Sequence, residues 1–276
     1  MAQKIEEFLN KIICGDCFKI IPAIPNDSID LCLTSVPFNV NLGSNKFNDK
    51  PYDLYNDNKE HSEYIAWLKG LFSDIYKKLK KGGRCVINIG DGQNGKIPTH
   101  VDITHFMTKE IGYLPMATIV WDKKNVTSRT AWGSFKSPAA PSFPKPFEYI
   151  LIFAKETYHL QTKGITDLTN EEFIDWSSSL WTFPAETRIS KKVHPAPFPE
   201  ELPRRCIKML SWKGAVVLDP FMGSGTTARV CKKLERNYIG IELSPTYHKL
   251  AEKRTRNVVI ADTLFNEETD EPDKDN

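Results

Sequence analysis

The sequence predicts an α/β fold with a mostly parallel central sheet and helices on both faces. The first observation is an apolar run over residues 215–219 that ends in an acid, enters a Gly-Ser-Gly turn and leads into a helix predicted over 228–236. Glycines in such a turn let the backbone approach a ligand, which the helix N-terminus then faces. The second observation is another apolar run, 237–242, whose last residue, Glu242, lies 19 positions after Gly223. In nucleotide-binding folds an acid at about this offset meets ribose hydroxyls.

The glycine turn also narrows the kind of cofactor. Ala228 stands where the dinucleotide fingerprint G-x-G-x-x-G has its third glycine, and the sequence has no G-x-x-x-x-G-K-[ST] phosphate loop. The site therefore has a candidate ribose-binding acid without a strong pyrophosphate cradle. This combination favours a nucleoside-type cofactor over NAD or ATP.

Two motifs together give the sequence a family resemblance. Residues 219–227, Asp-Pro-Phe-Met-Gly-Ser-Gly-Thr-Thr, resemble the cofactor motif of DNA amino-methyltransferases, which use S-adenosylmethionine. Residues 33–38, Leu-Thr-Ser-Val-Pro-Phe, resemble their catalytic tetrapeptide, commonly Ser-Pro-Pro-Tyr/Phe or Asp-Pro-Pro-Tyr. The catalytic motif precedes the cofactor motif, which is the order of the β group. The resemblance implies a circularly permuted, Rossmann-like S-adenosylmethionine-dependent methyltransferase fold that acts on double-stranded DNA.

The resemblance also implies which residues form the site. The Ser35 hydroxyl and the Val36 carbonyl would accept the two N–H groups of the target amine, Pro37 would stiffen the turn, and Phe38 would stack on the base. Val36 stands where proline is usual and Phe38 where tyrosine is frequent, but a backbone carbonyl and an aromatic face remain. The implied cofactor contacts are Asp16, Phe198, Pro199, Asp219, Phe221, Gly223, Ser224, Gly225, Thr226 and Glu242.

The first half of the chain is predicted to bring the tetrapeptide to the carboxyl end of a strand. Residues 11–16 are predicted as a strand ending in Gly-Asp, which is either an ordinary turn or the family's contact to adenine through Asp16. Residues 29–33 are predicted as a buried parallel strand that delivers Ser35 to the edge where open α/β sheets hold ligands. The polar segment 39–58 is predicted as a mobile lid. Apolar residues at helical spacing predict a helix over 61–79, stopped by Gly82-Gly83, and a strand over 84–90.

The second half contains further elements and a region suited to DNA recognition. We predict a helix over 99–111, strands over 113–121 and 147–154, a helix over 200–210, a helix over 245–254 and a possible strand over 258–260. The prolines of 194–199 resemble the family's motif that touches the methionine end of the cofactor, or they simply rigidify a helix entry. The lysine run at 77–81 is interpreted as a solvated helix end.

Basic and aromatic residues alternate on a glycine- and proline-rich stretch over 122–146, which suits phosphate contacts combined with base packing, although an irregular structural loop is the alternative. Sequence recognition in the β group lies in this part of the chain, so a small target-recognition region is predicted within 122–193. The candidate DNA contacts are Lys123, Arg129, Trp132, Lys136, Arg188 and Lys191.

The length and hydrophobic content of the chain limit the number of domains, and its charge distribution indicates the kind of partner. With 276 residues, 40% of them hydrophobic, the chain suits a single catalytic domain over 1–266. The last ten residues, 267–276, carry net charge −5 and are predicted to be a disordered acidic tail, while the preceding 266 carry +7, which fits a polyanionic partner. No run of 18 apolar residues occurs and the N-terminus is too polar for a signal peptide, so we expect a cytoplasmic, DNA-associated protein with no membrane segment.

The six cysteines exclude several chemistries. Cys14 and Cys17 form a C-x-x-C without a second pair or a histidine cluster, so reduced thiols rather than a metal site are expected. No cysteine follows a proline, which excludes the Pro-Cys nucleophile of cytosine-C5 methyltransferases and the P-C-x-x-C of zinc deaminases.

The expected reaction is methyl transfer to an exocyclic amine of a base flipped out of duplex DNA. In this family a first-position Ser is associated with N4 of cytosine and Asp with N6 of adenine, so Ser35 favours N4-cytosine. The same reaction on adenine N6 is the alternative, and a non-catalytic DNA-binding relative is a more distant one. A cognate restriction endonuclease acting separately is a possible partner. The target sequence and the oligomeric state stay open.

Overall fold

A single eight-stranded sheet organises the chain in the computed structural model. The structure describes residues 4–40, 52–124, 133–143, 145–186 and 198–258. The strand order is β1-β8-β7-β2-β3-β5-β4-β6. The strands are β1 (Lys11–Cys14), β2 (Ile29–Ser35), β3 (Leu79–Ile89), β4 (Leu114–Asp122), β5 (Phe147–Ala154), β6 (Leu180–Thr182), β7 (Val216–Asp219) and β8 (Asn237–Glu242).

The helices lie between these strands and confirm most of the predicted ones. They are α1 (Cys17–Ile20), α2 (His61–Lys78), α3 (Thr99–His105), α4 (Asn170–Trp176), α5 (Glu201–Leu210), α6 (Thr226–Lys233) and α7 (Pro245–Arg256). A π-helical segment, Phe106–Ile111, continues α3, so the helix predicted over 99–111 is present with a change of hydrogen-bond pattern at its middle.

The sheet is mostly parallel, as predicted. Strands β1, β8, β7, β2 and β3 pair in parallel, β5 runs antiparallel to both β3 and β4, and β6 is parallel to β4. The carboxyl ends of β1, β8, β7, β2 and β3 therefore meet at one edge of the sheet. Both sequence motifs leave the sheet at this edge, because the tetrapeptide begins at Ser35, the last residue of β2, and the glycine turn follows β7.

Helices cover both faces of the sheet and pack apolar side chains against it, which is why its central strands are buried. On one face Tyr64, Leu68 and Phe72 of α2 pack against the strands, and on the other Leu202 and Cys206 of α5 do. All seven residues of β2 are buried or nearly so, which is the pattern of a central parallel strand. The two covered faces confirm the predicted α/β architecture.

The glycine pair at 82–83 does not end a helix, contrary to prediction. Helix α2 ends at Lys78 because the buried Leu79 is already extended and begins β3. The glycines lie inside that strand, where its pairing with β2 shifts register. Gly82 has φ +74° and a Cβ there would lie 2.1 Å from the His159 carbonyl oxygen, so a close backbone approach requires glycine.

The lysine run 77–81 is only partly solvated, so its interpretation as a solvated helix end is wrong for Lys78. That side chain is 6% exposed, and its Nζ donates to the Pro22 carbonyl and to Asn26 Oδ1 at 2.9 Å. Three further elements, α1, α4 and β6, have no sequence prediction because each is short, and the apolar residues of α4 and β6 follow no clear period. The strand suggested over 258–260 is not formed at Val258, and its other two residues lie outside the described ranges.

Candidate active site

The two sequence motifs meet at the carboxyl edge of the sheet. Thr34 Oγ1, one residue before the tetrapeptide, donates to Asp219 Oδ1 at 2.7 Å across 185 residues of sequence. Residues of both motifs line one cavity of about 440 Å³, within the range of small-molecule and cofactor sites. The lining from the motifs is Ser35, Val36, Pro37, Phe38, Pro220, Phe221, Met222, Gly223, Ser224 and Thr226. The structure thus brings together two segments that the sequence could only pair by resemblance.

Asp219 lies behind the wall of this cavity and does not line it. The side chain is fully buried and accepts hydrogen bonds from Thr34 Oγ1, Thr227 Oγ1 at 2.6 Å and the Phe221 N–H at 3.1 Å. Burial raises its pKa to about 6, and these three donors oppose that rise. The geometry therefore gives Asp219 the task of holding the turn between β7 and α6, where the resemblance implied a direct cofactor contact.

Glu242 holds the same turn from the neighbouring strand and also lines the cavity. Its Oε2 accepts from the Gly223 N–H at 2.7 Å, and its Oε1 accepts from the Ser244 N–H at 2.9 Å. Burial raises its pKa, against the effect of these two backbone donors. Each carboxylate oxygen retains a further acceptor position, which a ribose hydroxyl could use.

The glycines of the turn have conformations that other residues rarely adopt. Gly223 has φ 54°, and Gly225, the N-cap of α6, has φ 83°. A Cβ on Gly225 would lie 2.9 Å from the Ala251 Cα of α7, so this position is closed to larger residues. Gly225 does not line the cavity, and its role is to let α6 and α7 pack closely.

Asp16 lies at the same edge, after β1. Its Oδ1 accepts from the Phe18 N–H at 3.0 Å and so caps the four-residue helix α1, which leaves its second oxygen free of that bond. Asp16 lines the cavity together with Gly15, Cys17 and Phe18. Its position is compatible with both interpretations of the sequence, a turn boundary and a ligand contact.

The tetrapeptide is held rigidly against its surroundings. The Tyr64 hydroxyl of α2 donates to the Pro37 carbonyl at 2.7 Å, and Val36 is buried at 2% exposure. A Cβ on Gly90 would lie 3.1 Å from the Phe38 ring, so Gly90 lets that ring rest on the end of β3. Phe38 is fixed between the cavity and the neighbouring strand.

An aromatic wall that sequence reasoning missed closes the cavity. Trp67 of α2 lies 5.5 Å from Phe221, 5.3 Å from Tyr55 and 5.7 Å from Phe18 between ring centroids. Tyr55 Oη is buried and has no hydrogen-bond partner among the described residues. The one signal in the sequence is the position of Trp67 on α2, because this large aromatic residue does not belong to the helical stripe that faces the core.

The end of the predicted lid is described and is bound to the site. Asn39 exchanges two hydrogen bonds with the Lys59 backbone, at 2.8 and 2.9 Å, and Asp53 accepts from the Ser244 hydroxyl beside Glu242. Residues 41–51 of this segment lie outside the described ranges. The described part therefore lines the cavity through Tyr52, Leu54 and Tyr55, and its bond to Ser244 lies on the side of Glu242.

The two residues implied by the proline-rich motif differ in position. Phe198 lines the cavity, whereas Pro199 does not and precedes α5. Residues 194–197 of that motif lie outside the described ranges.

The predicted DNA contacts divide into three groups. Lys123 is not a free cation, because its Nζ lies 2.6 Å from Glu148 Oε1. Lys136 is exposed on the loop over 133–143, with its Nζ 5.4 Å from the ring of Phe135. Arg129, Trp132, Arg188 and Lys191 lie outside the described residues.

Three further findings concern the described residues alone. They include no group of three or more His, Cys, Asp or Glu side chains able to hold a metal ion. None of their helices has the length and apolar character needed to cross a membrane. All six cysteines are free thiols, and burial raises the pKa of Cys17 and Cys206 to about 12.

The fold and this site define an α/β protein with a site suited to a nucleoside-type cofactor, and comparison with known proteins gives its family. Residues 29–253 match the family described as DNA methylase, N6_N4_Mtase. The chain is 39% identical to Type II methyltransferase M.MjaVI of Methanocaldococcus jannaschii over 60% of this chain and 81% of that protein. It is 30% identical to M.MjaI of the same organism over 89% of this chain and 90% of that one. The chain belongs to the N6_N4_Mtase family of DNA methylases.

Solved structures give the same result for the fold and the cofactor. TTHA0409 of Thermus thermophilus, assigned as a DNA modification methylase and solved with S-adenosyl-L-methionine, has a TM-score of 0.69 at 27% identity, over 90% of this chain and 94% of that one. The PvuII DNA methyltransferase (cytosine-N4-specific) has a TM-score of 0.68 at 22% identity, over 92% and 89% of the two chains, and supports the fold alone. The cofactor of this chain is S-adenosylmethionine.

The residues present fit this cofactor. The cavity offers carboxylates at two strand ends, Asp16 and Glu242, for hydroxyl and amino groups. Aromatic faces for a purine ring come from Phe18, Trp67 and Phe221. The Tyr55 hydroxyl, unpaired within the described part of the chain, offers one more polar contact. The turn supplies no phosphate cradle, and this cofactor has no phosphate.

Proposed function

We propose that this protein transfers the methyl group of S-adenosylmethionine to N4 of a cytosine flipped out of duplex DNA, within a single catalytic domain over 1–266. The observation that carries the proposal is the shared cavity, in which Ser35 and Phe38 of the tetrapeptide lie with Gly223 and Glu242 of the cofactor turn. The serine at the first tetrapeptide position favours cytosine through its family association.

The tetrapeptide would compensate for the weak nucleophilicity of an exocyclic amine, whose lone pair is delocalised into the ring. The Ser35 hydroxyl and the Val36 carbonyl would accept its two N–H groups and so concentrate the lone pair on nitrogen. Bound S-adenosylmethionine supplies an electrophilic methyl group on its sulfonium. The chain contributes by position, since alignment within about 3–3.5 Å of the reacting atoms is worth a large part of the barrier.

Phe38 would receive the base. Its ring is fixed against Gly90 and lines the cavity, so one aromatic face is available for stacking. Flipping the nucleotide out of the duplex costs a few kcal/mol, which stacking on an aromatic side chain partly offsets.

We propose that basic residues hold the DNA and that its sequence is read within 122–193. Lys136 is exposed and suited to a phosphate contact, and we propose the same role for Arg129, Arg188 and Lys191, with Trp132 packing on DNA. Because the relatives M.MjaVI and M.MjaI are Type II methyltransferases, we propose a restriction–modification context with a separate cognate endonuclease.

The test is to express the protein in cells without other DNA methylation, digest their DNA to nucleosides and measure these by mass spectrometry. We expect N4-methylcytosine, and no methylated base from the Ser35→Ala variant. N6-methyladenine alone would reject the cytosine assignment while keeping the reaction class. If no methylated base forms although purified protein binds both cofactor and duplex DNA, the chain is a non-catalytic relative.

A further inference from the structure

Four polar side chains form a row on one face of the sheet beside the tetrapeptide. Ser35 of β2 is the register partner of Asn88 of β3. Asn88 is opposite Ile150 of β5, and Trp121 of β4 is opposite Glu148 of β5. Since paired residues share a face and residues two apart along a strand do also, Ser35, Asn88, Glu148 and Lys123 project from the same face at its carboxyl edge.

Hydrogen bonds connect three members of this row and fix the orientation of the Asn88 amide. Asn88 Nδ2 donates to Glu148 Oε2 at 3.0 Å and to the Tyr149 carbonyl at 3.3 Å. Both partners only accept, so the amino group must face β5. Glu148 is itself held by Lys123 Nζ at 2.6 Å. Lys123 therefore holds Glu148, and Glu148 in turn holds the amino group of Asn88.

The inner end of the row has an acceptor without a donor in the described part of the chain. Asn88 is 1% exposed, and its Oδ1 has no hydrogen-bond partner among the described residues. A buried acceptor left unpaired costs about 1–3 kcal/mol. The amino group takes the β5 side of β3, the strand on the other side of β3 is β2, and Ser35 is its residue in register with Asn88.

We propose that Asn88 is a positioning residue that accepts a hydrogen bond from the Ser35 hydroxyl. Neighbouring strands are about 4.8 Å apart, so a staggered rotamer of serine can bring its Oγ within reach of the amide oxygen. The bond satisfies the acceptor and fixes the hydroxyl hydrogen away from the target. The lone pairs of Ser35 Oγ then face the amine. Glu148 strengthens Asn88 as an acceptor by polarising its amide through the second bond.

This inference rests on the proposed role of Ser35, and a double-mutant cycle tests it directly. The variants are Ser35→Ala, Asn88→Leu, which is similar in volume and apolar, and both together, measured as single-turnover methylation rates on duplex DNA. We expect Asn88→Leu to lower the rate about tenfold, with the affinities for cofactor and DNA unchanged. In the Ser35→Ala background the same change should have no further effect, because there is no hydroxyl left to position. Independent, additive losses would overturn the proposal.

Two further variants separate positioning from general damage. Glu148→Gln keeps an acceptor for the Asn88 amino group but loses the charge, so a rate loss of about threefold is expected, again absent in the Ser35→Ala background. Asn237→Leu, at the amino end of β8, is the control for loss of a hydrogen-bonded asparagine. The side chain of Asn237 is bonded to Asn10 and Gly214, neither of which lines the cavity, so the rate should stay unchanged.

The same cycle measured by urea unfolding is independent of activity. The proposed bond needs no ligand and forms in the free protein, so the free energies of unfolding of the two single variants will not add to that of the double variant. A wild-type protein that shows this coupling but methylates no DNA would reject the proposed function and keep the pairing. Additivity in the unfolding cycle would reject the pairing.

Discussion

The carboxyl edge of the sheet has two halves that are built differently. On the cofactor half, the acids Asp16, Asp219 and Glu242 accept hydrogen bonds from backbone N–H groups close by in sequence or on the adjacent turn. On the target half, Asn88 and Glu148 are linked by side chains that cross strands. There Asn88 Oδ1 is still without a partner among the described residues.

The difference shows how each half would respond to its ligand. Backbone donors cannot change rotamer, so the turn at Gly223 is already formed before a cofactor binds. Side-chain pairs are adjustable, and their last member is satisfied only when a hydroxyl turns toward it. We therefore expect variants on the target half to act on the rate of methyl transfer and variants on the cofactor half to act on binding and stability.

The largest effect expected is that of Ser35→Ala. Removing one preorganised polar group aimed at the reacting atom typically lowers turnover by about 10²–10³-fold, and Ser35 lies on the rim where it disturbs no core packing. The single-turnover rate should fall by this amount, while the dissociation constant for S-adenosylmethionine from calorimetry stays as in wild type. A variant that methylates at the wild-type rate would exclude Ser35 from the mechanism. A variant that loses cofactor affinity would contradict the expectation that the target half acts on the rate and the cofactor half on binding.

Asp219→Asn should show how the cofactor half is stabilised. The folded-state pKa of Asp219 is raised from 3.8 to about 6, so the folded protein holds this proton more tightly than the unfolded chain. Stability from this group is fully present below about pH 4 and is lost as the pH rises through about 6, by roughly 3 kcal/mol at neutral pH. Asparagine cannot ionise, so the stability of wild type relative to the variant should decline between about pH 4 and 7.

Urea unfolding of both proteins at about pH 4.5 and 7.5 measures this. The charge of Asp219 also raises the pKa of Glu242, so the variant loses part of that rise, and this reinforces the expected decline of wild type relative to the variant. A stability difference that is the same at both pH values would mean that Asp219 does not titrate in this range.

The sequence predicted the cofactor half more completely than the target half. The physical reason is that contacts in the cofactor half join residues close together in sequence, whereas those in the target half join residues far apart. Glu242, Gly223 and Asp219 belong to one strand–turn–helix–strand unit, where the glycine spacing and strand-ending acids are visible locally. The parallel sheet, α5, α6 and α7 followed from the same local patterns.

Contacts between distant segments could not be predicted in this way. Asn88, Glu148 and Lys123 have no motif, and only the strand order that places β5 between β3 and β4 brings them together. Lys123 was predicted to contact a DNA phosphate because its charge had no visible partner nearby in the sequence. Its actual partner, Glu148, is 25 residues away in sequence. Trp67 likewise reaches the cavity only because α2 packs beside the turn after β7.

Glu242→Gln tests whether the cofactor half acts on cofactor binding. The variant keeps one acceptor oxygen, but it loses the charge that strengthens hydrogen bonds to ribose hydroxyls, and its amide NH2 faces the N–H of either Gly223 or Ser244 as a second donor. Cofactor affinity should therefore fall by roughly tenfold or more. The single-turnover rate at saturating cofactor should change much less. Calorimetry gives the first quantity and rapid-quench kinetics the second. Glu252→Gln, on the exposed side of α7, is the matched control and should bind the cofactor as wild type does.

The smallest effect expected separates two lysines that the sequence treated alike. Lys136 is exposed, so Lys136→Ala should weaken DNA binding less than about tenfold and lower the slope of log affinity against log salt by about one. Lys123 is paired with Glu148 on the target half. Lys123→Met should therefore leave the salt slope unchanged and slow methyl transfer instead. Fluorescence anisotropy on a labelled duplex across salt concentrations distinguishes the two. An equal fall in slope for both variants would place Lys123 on the phosphates and remove it from the row that ends at Ser35.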